Sequence, residues 1–242
     1  IRAKLEAAQG AKSGLLVVSD MQSAGRGRRG RSWESPAGTN IYYTLMLKPD
    51  FSSDCAPMLT LVMALAVAKG IRQTLRRDSE EAAAKVGIKW PNDIVVDGKK
   101  VCGILTEMSM EQGYIQHIVI GVGINVRKQE FPEEIRDRAA AIDEQCGFRI
   151  SRSQLIADIM EAFEEDYEIF LRTHDLKGLR ASYAELLVNQ DREVCVLDPK
   201  GEYRGIARGI NDQGELLVER QDGTVEEVYA GEVSVRGIYG YV

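Results

Sequence analysis

The feature that most constrains the fold is the apolar stretch MLTLVMALAVA at residues 58–68, which runs directly into Lys69. A helix that crosses a bilayer needs about 20 apolar residues, so this stretch is too short to span a membrane. Its length instead favours a helix buried in a protein core. We therefore predict a long core helix from Pro57 to Arg77, whose basic last turn suits the helix dipole, and we expect no membrane association.

Strands are predicted on both sides of this helix, after a short helix over residues 3–9. GLLVVSD (14–20) is a predicted buried strand, and NIYYTLML (40–47) is a β-rich run that ends before Pro49. VGIKW, IVVDGKK, VCGILTEMS and YIQHIVIGVGINV (114–126) follow the core helix. Asp97-Gly98 is a hairpin signal between two of them. Neighbouring short strands indicate a largely antiparallel or mixed sheet rather than repeated βαβ units.

The pattern changes at Ser151, which forms a predicted capping box with Gln154. Apolar residues then recur at every fourth position, which predicts an amphipathic helix of about five turns: Leu155, Ile159, Phe163 and Tyr167. A second helical stretch is expected at 175–187. From Arg192 onward only short strands are predicted: EVCVLD, YRGIARGI, ELLVE, TVEEVY and VSVRG.

These elements predict an α+β protein of two domains. Residues 1–189 form a mixed β-sheet with flanking helices, and residues 190–242 form a small β-barrel of SH3 type.

The composition adds limits on function. A formal net charge of -6 argues against a surface that binds nucleic acid over its whole extent. Four scattered cysteines without a C-x-x-C pair suit reduced thiols in a cytoplasmic protein, and two distant histidines disfavour zinc sites and His-based triads.

The segment GRGRRGRSW at 25–33 concentrates positive charge in this acidic chain. The glycines Gly25, Gly27 and Gly30 let the backbone approach a ligand closely, so that N–H groups can converge on an anion. The arginines between them offer guanidinium groups that can grip phosphate oxygens in pairs: Arg26, Arg28, Arg29 and Arg31. Trp33 is a candidate wall for an apolar pocket. The alternatives are a disordered Arg-Gly segment or a local nucleic-acid patch.

Two further segments carry polar groups at strand ends. In KWPND (89–93), Asn92 and Asp93 offer an amide and a carboxylate, and Asp93 is a candidate ligand for Mg²⁺. A simple turn is the alternative. In GKKVCGILTE (98–107), Lys100 follows a tight turn and is a candidate fixed cation, although lysines at such positions are commonly solvated edge-strand charges.

The third segment is IVIGVGIN (118–125), a predicted buried strand that ends in Asn125. Its glycines permit close backbone approach to a ligand, whereas a strand crossing with a capping asparagine is the alternative. It is not a dinucleotide-binding motif, since no helix or third glycine follows it.

In this order and spacing, GRGRRGRSW, KWPND, GILTE and GVGIN resemble the hallmark segments of the biotin–protein ligase family. The resemblance covers nearly the whole chain, including ARGINDQGELLVE near its end. It implies the biotin/lipoate ligase fold and a reaction in two steps. Biotin and ATP, with Mg²⁺, give biotinoyl-5′-AMP and pyrophosphate, and the acyl group then passes to one lysine of a biotin carboxyl carrier domain.

The resemblance also implies roles for individual residues. Lys100 and Arg28 are the implied catalytic residues, with Lys100 beside the biotin carboxylate and the α-phosphate. The implied biotin-binding residues are Gln22, Gly25, Arg26, Gly27, Arg28, Trp33, Lys100 and Gly103. The implied ATP-binding residues are Arg28, Arg31, Lys89, Asn92, Asp93, Gly123 and Asn125, and Asp93 is the implied metal ligand. No covalent intermediate is required in the first step, because a carboxylate is already a nucleophile.

The chain departs from the family pattern in two places. Relatives carry a Ser-Thr-Asn stretch just before the first helix, whereas this chain opens with IRAKLEAAQG. We expect further residues upstream that complete the biotin pocket, and DNA binding only if they include a helix-turn-helix domain. Secondly, RAAAI (138–142) stands where relatives have Ala-Thr-Ser-Leu, so it lacks their hydroxyl groups. The oligomeric state is left open, with a homodimer among the alternatives.

Three other functions remain as alternatives. A lipoate–protein ligase would share the fold and the chemistry, but its phosphate loop normally carries R-R-x-S-G-G-G with a histidine soon after it, and no histidine precedes His117 here. The ligand-sensing part of a biotin-dependent repressor is the second alternative. A catalytically inactive scaffold that binds the carrier is the third, and it is disfavoured by the retention of Lys100 and Asp93.

Overall fold

The computed structural model describes residues 1–198, 201–230 and 234–237. Two sheets and six α-helices are built from these residues. The predicted α+β class is confirmed: a large antiparallel sheet with helices comes first, and a smaller separate sheet follows. The predicted boundary at 189/190 falls between α6 and the first strand of the smaller sheet and stays a prediction.

The large sheet has six strands in the order β1-β2-β6-β5-β4-β3, and every neighbouring pair is antiparallel. Their bounds are β1 Leu15–Ser19, β2 Ile41–Leu47, β3 Val86–Lys89, β4 Asp93–Val96, β5 Lys99–Glu111 and β6 Tyr114–Ile124. The predicted hairpin at Asp97-Gly98 is confirmed. Both residues have positive φ, 51° and 73°, as a tight two-residue hairpin turn requires.

The prediction of a buried first strand was wrong in one respect. β1 pairs with β2 alone among the described strands, so it lies at the edge of the sheet, and none of its residues is fully buried. Val18 is 53% exposed. An apolar run cannot distinguish an edge strand from a central one, because the pairing partners lie far away in the sequence.

The predicted core helix is confirmed as α2, Met58–Arg76, which is buried over most of its length. The prediction that this segment is too short to span a membrane was wrong, because Ser53–Arg76 is long and apolar enough to cross one; however, 72% of its apolar window is buried inside the protein. One side of α2 packs on the sheet, where it meets alternate residues of β6 such as Ile118, Ile120 and Val122. Packing within the protein therefore accounts for its apolar composition.

The other side of α2 packs on α5, Arg152–Thr173, which is the predicted amphipathic helix. The predicted cap is confirmed in part. The Ser151 hydroxyl accepts a hydrogen bond from Gln154 N, whereas the Gln154 side chain donates to Asp158. The two helices cross at Gly70, where a Cβ atom would stand 2.5 Å from Ile159 Cγ1. Only glycine permits this approach.

The remaining helices are shorter: α1 Arg2–Ala8, α3 Glu80–Ala84, α4 Ile142–Cys146 and α6 Arg180–Leu186. The helix predicted for 175–187 thus begins five residues later than expected, after a turn at 175–179.

The smaller sheet has the order β10-β9-β8-β7-β11. Its strands are β7 Glu193–Leu197, β8 Tyr203–Ile210, β9 Leu216–Glu219, β10 Val225–Val228 and β11 Ser234–Gly237. Closure into an SH3-type barrel stays a prediction, and residues 199–200, 231–233 and 238–242 of the predicted domain lie outside the described residues.

Helix α1 covers the face of the sheet that α2 leaves open, through Ala3 and Ala7 on Met46 and Val119. His117 lies on this same face of β6 and is only 5% exposed. Neither ring nitrogen has a hydrogen-bond partner among the described residues. Burial and the nearby positive charges of Lys4 and Lys48 lower the pKa of His117 below its ordinary value.

This lowered pKa predicts a pH-dependent stability. The folded protein resists protonation of His117 whereas the unfolded chain does not, so the free energy of unfolding should fall as the pH drops below about 6.5. His117→Leu should remove part of this acid loss, measured by urea unfolding between pH 7.5 and 5.5. His174→Asn is the matched control, because His174 is exposed and is the only other histidine. Equal acid losses in all three proteins would contradict the prediction.

Candidate functional site

A cavity of 1160 Å³ lies on the face of the large sheet opposite α2. Residues from the Arg-Gly loop, the β3–β4 turn, strands β5 and β6 and the 127–139 segment line it. The structure brings together all but one of the predicted site residues in its wall: Gln22, Arg26, Gly27, Arg28, Arg31, Trp33, Lys89, Asn92, Asp93, Lys100, Gly103, Gly123 and Asn125. Three segments that are distant in sequence therefore form one site.

Gly25 is the exception, because it is buried behind the wall. A Cβ atom here would stand 2.2 Å from the Trp33 carbonyl oxygen and 2.7 Å from Ser35 Oγ. Glycine is therefore required for the two sides of the loop to approach each other. A direct contact between Gly25 and biotin stays a prediction, and its position assigns it a packing role.

The Arg-Gly loop is an ordered hairpin rather than a disordered segment. Trp33 N donates to the Gly25 carbonyl at 2.9 Å, and Gly27 N donates to the Arg31 carbonyl at 2.7 Å. The chain reverses at Arg29 and Gly30, both in the left-handed region with φ of 59° and 71°. This turn brings the arginines to the cavity, where Arg28 is half-buried and Arg26, Arg29 and Arg31 stay exposed.

Trp33 rests on two paired glycines of the sheet. Gly103 of β5 and Gly123 of β6 are direct partners in the ladder. A Cβ on Gly123 would stand 2.4 Å from the indole Nε1, and one on Gly103 would stand 2.9 Å from Cζ3. The indole Nε1 is buried and has no hydrogen-bond partner among the described residues. The two glycines thus make a shallow seat that a flat ring can occupy.

Lys100 and Asp93 form an ion pair at the edge of this seat, with 2.6 Å between Nζ and Oδ1. Asp93 is paired with Gly103 in the β4–β5 ladder, and a bulge between Ile94 and Val95 adjusts the register beside it. The Lys100 Nζ also lies 5.5 Å from the centre of the Trp33 ring. A fixed cation, a carboxylate and an aromatic ring therefore meet within a few ångströms.

The segment RAAAI contacts this site through its backbone. Lys100 N donates to the Arg138 carbonyl at 2.7 Å, and Ala140 N donates to the Lys100 carbonyl at 2.9 Å. Arg138 and Ala139 also line the cavity. These bonds hold the Lys100 backbone and do not require the hydroxyl groups that the segment lacks.

Arg28 connects the loop to the β3–β4 turn and to the second sheet. Its guanidinium donates to Asn92 Oδ1 at 2.8 Å and also to the Ala230 carbonyl. Asn92 is itself fixed, because its Nδ2 donates to the Ile104 carbonyl at 3.0 Å. Burial lowers the pKa of Arg28, partly offset by the charge of Asp93. A desolvated cation of this kind favours an anionic ligand.

Sequence reasoning assigned no role to Glu107, the last residue of GILTE. Its two carboxylate oxygens contact Lys4 of α1 and Arg26 of the loop, each at 3.0 Å. Glu107 thereby joins α1, β5 and the loop at one end of the cavity. The alternation along β5 was the available signal, because it places Glu107 on the same face as Gly103 and Leu105.

The other predicted residues lie on the opposite side of the cavity or at its rim. Lys89, which ends β3, is 6% exposed, and Asn125, which directly follows β6, is 5% exposed. Gln22 and Arg31 are exposed at the rim. No group of three or more His, Cys, Asp or Glu residues suitable for a metal occurs in the described part of the chain. Asp93 supplies a single carboxylate.

Comparisons with known proteins show the family to which the chain belongs. The model of the biotin/lipoate A/B protein ligase family matches residues 3–125, and that of the biotin protein ligase C-terminal domain matches residues 191–236. The chain is 38% identical over 229 residues to the bifunctional ligase/repressor BirA of Bacillus spizizenii, covering 93% of this chain and 67% of that protein. The chain belongs to the biotin protein ligase family.

Two further relatives of this biotin protein ligase match over nearly their whole length. The biotin–[acetyl-CoA-carboxylase] ligase of Paracoccus denitrificans is 29% identical, with 94% of this chain and 95% of that protein covered. The solved structure of the Aquifex aeolicus biotin protein ligase in complex with biotin and ATP superposes with a TM-score of 0.81 and 28% identity. That match covers 97% of this chain and 94% of the solved one.

The glycine seat of the ligase generates a test that needs no ligand. Gly123→Ala should push the indole off the sheet, because the new Cβ would stand only 2.4 Å from Nε1. The fluorescence of Trp33, one of two tryptophans, should shift to longer wavelength and become more accessible to acrylamide. Gly121→Ala on the same strand is the matched control, since its Cβ would have ordinary contacts of 3.6 Å or more. Identical spectra for both variants would refute this placement of Trp33.

Proposed function

We propose that this ligase joins biotin to ATP, giving biotinoyl-5′-AMP and pyrophosphate, and then transfers the biotinoyl group to one lysine of a biotin carboxyl carrier domain. The Aquifex aeolicus relative was solved in complex with biotin and ATP, and the Paracoccus denitrificans relative is named a biotin–[acetyl-CoA-carboxylase] ligase. In the first step a biotin carboxylate oxygen bonds to the α-phosphorus as the bond to pyrophosphate breaks. In the second, the lysine amine displaces AMP and loses a proton.

The observation that carries the proposal is the ion pair between Lys100 and Asp93 beside the glycine seat. Two anions, a carboxylate and a triphosphate, must approach each other for the first step, and a fixed cation between them reduces their repulsion. Lys100 is suitable because its backbone is held on both sides by the 138–140 segment. Preorganised charge of this kind supplies most of the rate when no covalent intermediate is needed.

The Arg-Gly loop provides the remaining positive charge. We assign Arg28 and Arg31 to the phosphates, because guanidinium groups bind phosphate oxygens in pairs. Arg28 gives up its contact with neutral groups, Asn92 and the Ala230 carbonyl, in exchange for a charged partner. For biotin we assign Gln22, Arg26, Gly27, Trp33, Lys100 and Gly103, and for the nucleotide Lys89, Asn92, Asp93, Gly123 and Asn125.

The residues present are compatible with Mg²⁺ that arrives with ATP. Magnesium is commonly held by one or two carboxylates together with substrate phosphates rather than by an all-protein cage. Asp93 supplies one carboxylate in the cavity wall, and Lys100 is its partner in the absence of ligands. Bound there, the ion would neutralise phosphate charge.

A second candidate function, repression of transcription, is favoured by the names of four relatives, which are bifunctional ligase/repressors. This role requires a DNA-binding domain upstream of Ile1, and we propose DNA binding only on that condition. We further propose a cytoplasmic enzyme with reduced thiols.

Isotope exchange between ATP and pyrophosphate tests the first step. The chain should catalyse this exchange in the presence of biotin and not with lipoate, which separates the two ligase classes within the family. Lys100→Ala should lower kcat by about a hundredfold or more, the scale expected for loss of one preorganised charge. Binding of biotin should weaken less, because the cation matters most in the transition state.

Lys99→Ala is the matched control, since Lys99 is the preceding lysine on the same strand and is exposed. Its activity should equal that of the wild type. Thermal unfolding should confirm that both variants fold. The proposal would be overturned if isotope exchange required lipoate instead of biotin, or if Lys100→Ala exchanged at the wild-type rate.

A further inference from the structure

Trp90 connects the turn that carries Asn92 and Asp93 to the second sheet. Its side chain is 2% exposed and is among the largest fully buried ones. The indole Nε1 donates to the Gly214 carbonyl at 2.9 Å. Its backbone N donates to Asn189 Oδ1 at 3.2 Å. Two buried hydrogen bonds therefore link this one residue to groups beyond α6.

The acceptor for the indole is held in a rigid turn between β8 and β9. Asn211 Oδ1 accepts from the backbone N atoms of Gln213 and Glu215, both at 3.0 Å. The Asp212 carbonyl accepts from Leu176 N at 2.7 Å, which fixes the turn to the larger part of the chain. Gly214 itself is tightly packed, because a Cβ would stand 2.9 Å from Leu176 Cδ1 and Leu61 Cδ2.

On the cavity side, the 90–93 turn carries two side chains that contact the charged residues of the site. Asn92 accepts from Arg28, and Asp93 pairs with Lys100. We propose that Trp90 is a positioning residue: its hydrogen bond to Gly214 fixes the 90–93 turn and thereby sets Asn92 and Asp93 for the nucleotide. The expected effect on kcat rests on the proposed function, whereas the fixing of the 90–93 turn by this hydrogen bond does not.

Trp90→Phe tests this role, because it keeps an aromatic ring in the buried position while it removes the N–H donor and makes the ring smaller. The kcat of biotin-dependent exchange should fall about tenfold and the KM for ATP should rise, while the affinity for biotin alone stays within about twofold. A tenfold loss corresponds to about 1.4 kcal/mol, the upper end for one buried hydrogen bond.

Thr74→Val is the matched control for a general loss of stability. It removes another buried hydrogen bond, that of Thr74 Oγ1 to Asp158 at 2.6 Å, which joins α2 and α5 away from the cavity. Its kinetic constants should equal those of the wild type. A loss of kcat in Thr74→Val as large as in Trp90→Phe would overturn the positioning role.

A double-mutant cycle separates positioning from direct action. If Trp90 acts through Asn92, the Trp90→Phe change should cause little further loss of kcat in an Asn92→Ala background. Fully additive losses would contradict the inference.

Hydrogen exchange of peptides covering residues 89–95, without substrates, gives a readout independent of activity. Exchange should be faster in Trp90→Phe than in Thr74→Val. Asn211→Ala, which loosens the Gly214 turn and leaves Trp90 intact, should have the same effect and serves if Trp90→Phe does not fold. Absence of isotope exchange by the wild type would refute the proposed function, whereas unchanged hydrogen exchange at 89–95 in the folded variants would refute the role of Trp90.

Discussion

The close packing of α2 on one face of the large sheet is the constraint on which the site depends. Burial of this helix removes a large apolar area from water, which is the main stabilising contribution available to the first domain. Because β6 alternates, Ile118, Ile120 and Val122 point to α2, and Gly121, Gly123 and Asn125 point the other way. The helix thus anchors the sheet from one side and leaves the opposite face to α1 and to the cavity.

The part of this opposite face that lines the cavity combines small residues with charged ones. The paired Gly103 and Gly123 give a flat seat, and Lys100 with Asp93 stands at its edge. Positive groups that line the cavity already have partners, among them Lys100 with Asp93, Arg26 with Glu107, and Arg28 with Asn92 and the Ala230 carbonyl. An anionic ligand must compete with these partners. The advantage is that the cations are in position before the ligand arrives, so little reorganisation is needed during the reaction.

Local pattern was sufficient to predict much of the fold. The apolar run at 58–68 predicted α2, and Ser151 predicted the start of α5. Asp97-Gly98 predicted the hairpin that joins β4 and β5. Each of these signals comes from residues close together in sequence. The position of β1 at the sheet edge depends on long-range pairing instead, and so its exposure was missed.

The candidate site could likewise be predicted only in part, because local motifs identify single residues but not the long-range contacts between them. Motif spacing identified Lys100, Asp93 and the arginines of the loop, which the fold brings to one cavity. It could not identify the contact of Glu107 with Lys4 and Arg26, since these residues lie on three separate elements. Nor could it find the bond from Trp90 to Gly214, whose partners are 124 positions apart. The packing role of Gly25 could not be predicted either, because sequence does not distinguish a glycine that contacts a ligand from one that permits close packing.

A crystal structure with biotin and a non-hydrolysable ATP analogue would show directly whether Lys100 stands between the two reacting anions. We expect biotin in the cavity beside Trp33, which covers the Gly103–Gly123 seat, with its carboxylate and the α-phosphate both contacting Lys100 Nζ and with Arg28 turned to the phosphates. Biotin bound elsewhere, or bound in this cavity while Lys100 contacts Asp93 alone, would contradict this role of Lys100.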